Sequence, residues 1–398
     1  MNRNGIMTLN LHGIQEFLAE HELDGWLLAD FHGRNEVAIR LLGITGMLTR
    51  RSFYFIPVVG EPTALVNPIE IEKFKQLPGA IVPCLGYKKL EADLAQILKG
   101  KNRIAMEYSP LGRLPYVAMV DAGTIELVRQ CGVEIVSSAD LVAAFQATLS
   151  AEQIATHRMA AHNLIEIKDD AFKFITEAVR SGKSITEYDV VQFVLQKFDE
   201  DDMMTDHSPI CAVDAHGGDG HYEPAAVGSA LIKRGQLIVL DIWAKLKREG
   251  SIFGDITWMG FTGTREEIPA KYAELFSVLA KARDTAVTFI RDNIDKRPVH
   301  GWEVDDVCRG VVTAAGYGDR FFHRTGHSIT DNTHGSGPNI DNLETEDQRR
   351  LAKGHLFSIE PGIYYPEFGL RTEIDVLIGH DGAEVTTLPL QTAITPLL

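Results

Sequence analysis

The chain has 398 residues, enough for two or three domains and a large buried core. Its 45% apolar and 24% charged residues exclude a disordered or fibrous protein. A formal net charge of −16 gives a surface that repels phosphate backbones and anionic membranes, so neither nucleic acid nor a membrane surface is an expected partner.

The N-terminus, MNRNGIMTLNLHGIQEF, lacks a long apolar core followed by a small-residue cleavage site, so no secretory signal is read. No stretch approaches the roughly eighteen apolar residues of a membrane span. The four cysteines, Cys84, Cys131, Cys211 and Cys308, form no CxxC pair and no disulfide framework. Reduced thiols and a cytoplasmic location are the expectation.

Leu9–Glu20 reads as an amphipathic helix and Gly25–Ala29 as a strand. Ser52–Val59, Thr63–Val66, Arg103–Glu107 and Glu134–Ser137 also read as strands, and Tyr116–Gln130 as a helix. Together they predict an α/β (α+β) fold that begins with a mixed-sheet domain over residues 1–149. Ser150 followed by Gln153 has the capping-box form, and a helical run follows to about Arg180. A second helix begins at Thr186 and runs to about Phe198. The second domain is placed at 150–398, with helices near Ala270–Asn293 and Val304–Ala315.

Carboxylates interrupt the apolar strands of this second domain. In QLIVLDIWAK, Asp241 shares a strand face with Leu237, Val239 and Trp243. In SIFGDITWMGF, Asp255 shares one with Phe253 and Thr257. The segment KREGS between them reads as a hairpin loop that brings Asp241 and Asp255 side by side. A single strand-end Asp can cap a turn. Two facing carboxylates repel unless a cation lies between them. HLFSIEPGIYY repeats the anomaly with Glu360, and GLRTEIDVLI puts Arg371, Glu373 and Asp375 on one face, with Glu360 facing Glu373. FFHRTGHSI, between the hairpins, supplies His323 and His327. A lone histidine is more often a core or surface residue than a ligand, but four strand carboxylates shift that balance. Two divalent cations neutralise four carboxylates, and an oxygen-rich set with one imidazole favours Mn²⁺ or Fe²⁺, with Co²⁺ or Zn²⁺ also acceptable.

These residues resemble the five-ligand signature of the M24 "pita-bread" metallopeptidases, the group of methionine aminopeptidase, aminopeptidase P and prolidase. The resemblance is carried by Asp241, DIT around Asp255, TGH ending at His327, IEPG around Glu360 and RTE ending at Glu373. HYEP, His221 to Pro224, and FSIEPGIY are similar to segments of the proline-directed members, and the leading α/β domain resembles their creatinase-like N-terminal domain. The resemblance implies a dinuclear hydrolase acting on an Xaa-Pro peptide, with Glu360 as ligand and acid/base. It implies that His221 and His334 meet the substrate, that His323 and Tyr222 line its pocket and that Arg371 orients Glu373 or contacts substrate. It also implies a homodimer. Structural roles compete for three of these residues: a loop hydrogen bond for His323, an Asp375 partnership for Arg371 and a core position for Tyr222. A metal-dependent hydrolase of a small amide and a non-catalytic scaffold are the alternative functions. Three departures bear on the substrate: the Asp241–Asp255 spacing is longer than usual, DIWAK replaces the commoner Asp-x-Gly form, and Gly335 follows His334 where proline-directed members often carry an acidic residue.

Overall fold

The computed structural model describes residues 9–398, so Met1 to Thr8 of the segment read for a leader lie outside it. The chain divides into two compact units, the first running to Gln146 and the second starting at Ala147.

The first unit contains α1 (Leu11–Glu20), β1 (Gly25–Asp30), α2 (Glu36–Leu42), β2 (Ser52–Pro57), β3 (Thr63–Val66), α3 (Ile71–Phe74), β4 (Ala80–Pro83), α4 (Tyr87–Ile97), β5 (Arg103–Met106), α5 (Ala122–Arg129), β6 (Glu134–Ser137) and α6 (Ala139–Gln146). Its sheet has the order β4-β3-β2-β1-β5-β6. The β1–β2 and β2–β3 pairs are antiparallel, while β3–β4, β1–β5 and β5–β6 are parallel, which makes it the mixed sheet expected. Every residue of β1 and β2 is buried because helices cover both faces. Trp26, Leu28, Tyr54 and Ile56 pack with Ile14 and Leu18 of α1, whereas Leu27, Phe53 and Phe55 pack with Leu94 of α4 and Val128 of α5. The helix expected over Tyr116–Gln130 starts only at Ala122. Asp121, in extended backbone, accepts from Thr124 N–H at 3.0 Å and caps the helix there.

The second unit opens on α7 (Ala151–Ser181), whose capping box pairs Ser150 with Gln153 as the sequence suggests. It continues through α8 (Glu187–Glu200), β7 (Met203–Met204), β8 (Ile210–Val213), β9 (Leu237–Leu246), β10 (Gly254–Phe261), α9 (Ala270–Asn293) and α10 (Gly301–Ala314). It ends with β11 (Leu356–Ile359), β12 (Gly362–Tyr365), β13 (Phe368–Arg371), β14 (Ile374–Gly379), β15 (Gly382–Val385) and β16 (Thr395–Pro396). One sheet runs β16-β10-β9-β7, with β8 also on β9. Alternation along β9 sends Ile238, Leu240 and Ile242 toward α7 and α8. Leu237 and Val239 point the other way, into the core shared with β11 to β14 and α9. Asp241 follows Val239 onto this second face.

Two expectations are corrected in the strands. Across β9 and β10, Thr257 stands opposite Asp241 and Asp255 opposite Trp243. Asp241 and Asp255 are therefore diagonal neighbours on one face, not side by side. The second hairpin is broken rather than continuous. β11 pairs β14 and β12 pairs β13, and both ladders stop at Glu360–Pro361 and Thr372–Glu373. Pro361 has no N–H to give. The N–H of Glu360 donates to Thr325 O at 2.7 Å, and that of Glu373 to Thr257 O at 3.3 Å. The flanking registers, Ile359↔Ile374 and Gly362↔Arg371, keep Glu360 opposite Glu373 as expected.

Candidate metal centre

The interruption of the second hairpin lies against the Asp241 face of the first. Ligand atoms of Asp255, His327 and Glu373 all lie within 4.8 Å of one another. His327 arrives on a short bridge, Ser328↔Phe357, that lays its segment along β11. Gly326 makes this possible, since a Cβ there would sit 1.9 Å from Ser358 O. His327 Nε2 is 3.5 Å from Asp255 Oδ2 and 3.4 Å from Glu360 Oε1. Its Nδ1 lies 3.3 Å from Ser328 O. A carbonyl only accepts, so Nδ1 carries the ring proton and the Nε2 lone pair points at two carboxylates. That geometry calls for a cation between them.

Asp241 is bonded to Arg371, whose Nε donates to Thr257 Oγ1 at 3.0 Å and whose Nη1 donates to Tyr364 at 3.1 Å. Thr257 in turn donates to Glu373 Oε2 at 2.7 Å, and Ser358 Oγ donates to Glu360 Oε1 at 3.0 Å. Asp375 Oδ2 accepts the backbone N–H of Asp255 at 2.9 Å. Burial, reinforced by repulsion from neighbouring carboxylates, pushes Asp255 and Glu373 well above the usual carboxylate range. Burial also raises Asp241, against the pull of Arg371. It lowers His327 to about 3, with His334 adding to the effect. Asp241, Glu360 and Glu373 act on the Arg371 guanidinium, and Asp255 lies among Glu373, Asp241, Asp375 and Glu360. The donor set therefore fits divalent metal, with Asp241, Asp255, His327, Glu360 and Glu373 as the residues that would hold it.

The other expected site residues divide. His334 sits edge-on to His327 at 4.4 Å between ring centres, and loss of water contact lowers it to about 4. His221 is exposed and close enough to His334 for the two to interact electrostatically. His323 has both ring nitrogens committed, Nδ1 to Arg324 O at 2.7 Å and Nε2 to Tyr364 at 3.0 Å, and burial lowers it to about 3. Arg371 is buried and spends its guanidinium on Asp241, Thr257 and Tyr364. These bonds fit the expected role of orienting the carboxylates, and Arg371 also lines a cavity with Tyr364 and Asp219. Tyr222 gives its hydroxyl to Glu187 at 2.6 Å. Sequence reasoning did not single out Tyr364, which joins Arg371 to His323, or Glu187. Tyr364 lies in the FSIEPGIY motif, so a signal for it was present.

The model of metallopeptidase family M24 matches residues 160–380, more than half the chain and all of the candidate centre. The chain belongs to this family. As an M24 member it is a metal-dependent hydrolase. It is 26% identical over 385 residues to the Xaa-Pro dipeptidase of Pyrococcus furiosus, covering 96% of this chain and 98% of that one. The crystal structure of dipeptidase PepE from Mycobacterium ulcerans superposes with a TM-score of 0.71 at 21% identity, covering 97% of each chain. An X-prolyl aminopeptidase from Caenorhabditis elegans, described as a cytosolic enzyme with a di-nuclear active site, gives 0.68 at 18% identity over 98% of this chain and 63% of that one. The likeness in fold to such two-domain structures thus extends over 97% of the chain. No helix among the described residues is long and apolar enough to cross a membrane.

Proposed function

We propose that this M24 member is a dinuclear peptidase that cleaves the bond between an N-terminal residue and proline, as an Xaa-Pro dipeptidase or aminopeptidase. The observation that carries the reading is the His327 lone pair aimed at Asp255 and Glu360 inside a buried cluster of carboxylates. Bound metal would supply an acidified water and polarise the scissile carbonyl. Manganese suits this oxygen-rich donor set best, with iron, cobalt and zinc as lesser fits.

The chain's own residues supply the rest. The Glu360 side chain, 15% exposed, is more open than those of Asp241 at 10% and Asp255 at 5%. It is therefore the carboxylate placed to accept a proton from water and return it to the leaving nitrogen. His334, held neutral, and His221 would donate to the carbonyl oxygen as charge develops there. The Arg371–Tyr364–His323 chain keeps the Asp241 edge rigid. Gly335 replaces the frequent acidic residue for a local reason: a Cβ there would meet Thr330 at 2.7 Å and Ser328 at 2.9 Å. A homodimer in the cytoplasm, acting on free peptides and on neither nucleic acid nor membrane, completes the proposal.

The test is purified chain loaded separately with Mn²⁺, Co²⁺, Fe²⁺ or Zn²⁺ and given Xaa-Pro di- and tripeptides, non-proline analogues and small amides. Release of the N-terminal residue from Xaa-Pro peptides is expected. Turnover of small amides alone would reassign the substrate, and a chain that binds no metal would be a scaffold.

A further inference from the structure

The segment 214–230, between β8 and β9, carries His221. Its first part is packed by backbone: a Cβ on Gly218 would lie 2.3 Å from Tyr365 O, and one on Gly369 of β13 would lie 1.8 Å from Gly217 O. Beyond Asp219 the segment is largely exposed, with Val227 at 91%. One side chain ties these parts together. Glu187, the first residue of α8, is completely buried. Its Oε1 accepts from Val213 N–H at 2.8 Å and from His216 Nδ1 at 2.9 Å. Its Oε2 accepts from the Tyr222 hydroxyl at 2.6 Å and from Ala230 N–H at 2.7 Å. His216 and Tyr222 stack on each other with ring centres 4.2 Å apart.

We propose that Glu187 is a positioning residue for the reaction: its carboxylate pins both ends and the middle of segment 214–230 and so fixes where His221 stands. This rests on the reading of His221 as a substrate contact. The physical argument is one of satisfaction. Four donors converge on one buried carboxylate, and a helix N-terminus favours its negative charge. Without it, the buried N–H of Val213 and the part-buried N–H of Ala230 lose their acceptor, and Tyr222, the residue after His221, loses its tether. Glutamine keeps the shape but turns an NH₂ toward donors. Aspartate keeps the charge but is one methylene too short to reach both ends.

The test uses the full-length, metal-loaded chain with Glu187→Gln, Glu187→Asp, His221→Ala and the double variant Glu187→Gln/His221→Ala. Misplacing His221 by about 1 Å is expected to lower kcat roughly 100-fold in Glu187→Gln. Glu187→Asp should recover part of that loss, and metal stoichiometry should stay the same. The double variant should be no slower than His221→Ala, because both changes remove the same contribution. Thermolysin should cut Glu187→Gln near Val227 faster than the parent, a readout that needs no activity. Should Glu187→Gln not fold, His216→Phe removes one donor while keeping the ring stacked on Tyr222, and should show a smaller, equally non-additive loss. Independent losses in the double variant, wild-type kcat in Glu187→Gln, or unchanged proteolysis would each overturn the proposal. A slow Glu187→Gln beside a fully active His221→Ala would overturn it while leaving the peptidase reading standing. A wild-type chain without turnover would instead refute the peptidase reading.

Discussion

Thr257 stands across the β9–β10 ladder from Asp241 while its hydroxyl donates to Glu373, 116 residues further along the chain. One small side chain thereby joins the two acidic hairpins. Its oxygen also accepts from Arg371 Nε at 3.0 Å. Thr257→Val keeps the shape and removes both bonds. Groups that orient metal ligands typically contribute about 10–100-fold in affinity, and a Mn²⁺ loss of that size is expected here. Calorimetric titration of the metal-free variant measures it, and an unchanged isotherm would show that Thr257 is only packing.

Arg371 is bonded to Asp241 within this carboxylate cluster. Arg371→Met should destabilise the metal-free chain by about 3 kcal/mol, the usual cost of removing one partner of a buried ion pair. With Mn²⁺ bound, the cations compensate Asp241 and the loss should shrink. Urea unfolding with and without metal gives the comparison. Equal losses in both states would mean that metal does not balance these charges.

Gly326→Ala should disable the centre by geometry alone. The new methyl would overlap Ser358 O and drive the His327 segment off β11. Metal stoichiometry should fall below that of the parent while far-ultraviolet circular dichroism is retained. Full metal occupancy in the variant would refute the close-approach argument.

Glu107, fully buried in the first unit, gives a pH signature remote from the metal. Burial raises it from 4.5 to about 7, against hydrogen bonds from Trp26, Asn35 and Ser138. The unfolded chain releases this proton near 4.5 and the folded chain near 7, so the folded state binds more protons between those values. The stabilising contribution is complete below 4.5 and is lost as pH rises through 7. The full span corresponds to about 3 kcal/mol. Urea midpoints at pH 5 and pH 8 should differ, and Glu107→Gln should remove this group's share of the difference, the raised carboxylates of the second unit supplying the rest. A slope that survives the substitution belongs to another group.

The centre was legible in the sequence because charge in an apolar strand has few explanations. Asp241 and Asp255 each break a run that packing alone would fill with Val or Ile, and Glu360 and Glu373 do so again. Which neighbours met was harder to read. The diagonal placement of Asp241 and Asp255 depends on where β9 and β10 register, and the hairpin loop of 247–253 leaves several registers open. The interruption at Glu360–Pro361 is visible as a proline, yet its purpose lies in backbone bonds to Thr325 and Thr257, which are remote in sequence. Glu187 was hidden for a different reason. An acidic residue just after a Thr N-cap looks like ordinary helix-dipole chemistry on a surface, and nothing local says that four donors from residues 213–230 surround it. In the first unit, Asp121 carried the correct helix start, but the apolar residues from Tyr116 onward extended the helical reading upstream.

Dividing the acidic set between two hairpins also has a consequence in time. Asp241 and Asp255 lie in a hairpin that can close as soon as β10 is made. Glu373 lies 116 residues beyond Thr257, the residue that must bond it. At about 5–20 residues per second, the interval between the two is on the order of 10 s. Through that interval a growing chain displays half a cation trap, with an imidazole and two carboxylates still to come. Metal acquired during synthesis would meet a weak, incomplete site first. If these residues hold the metal, tight retention would wait until the last hairpin clasps the first, and loading would come late in synthesis.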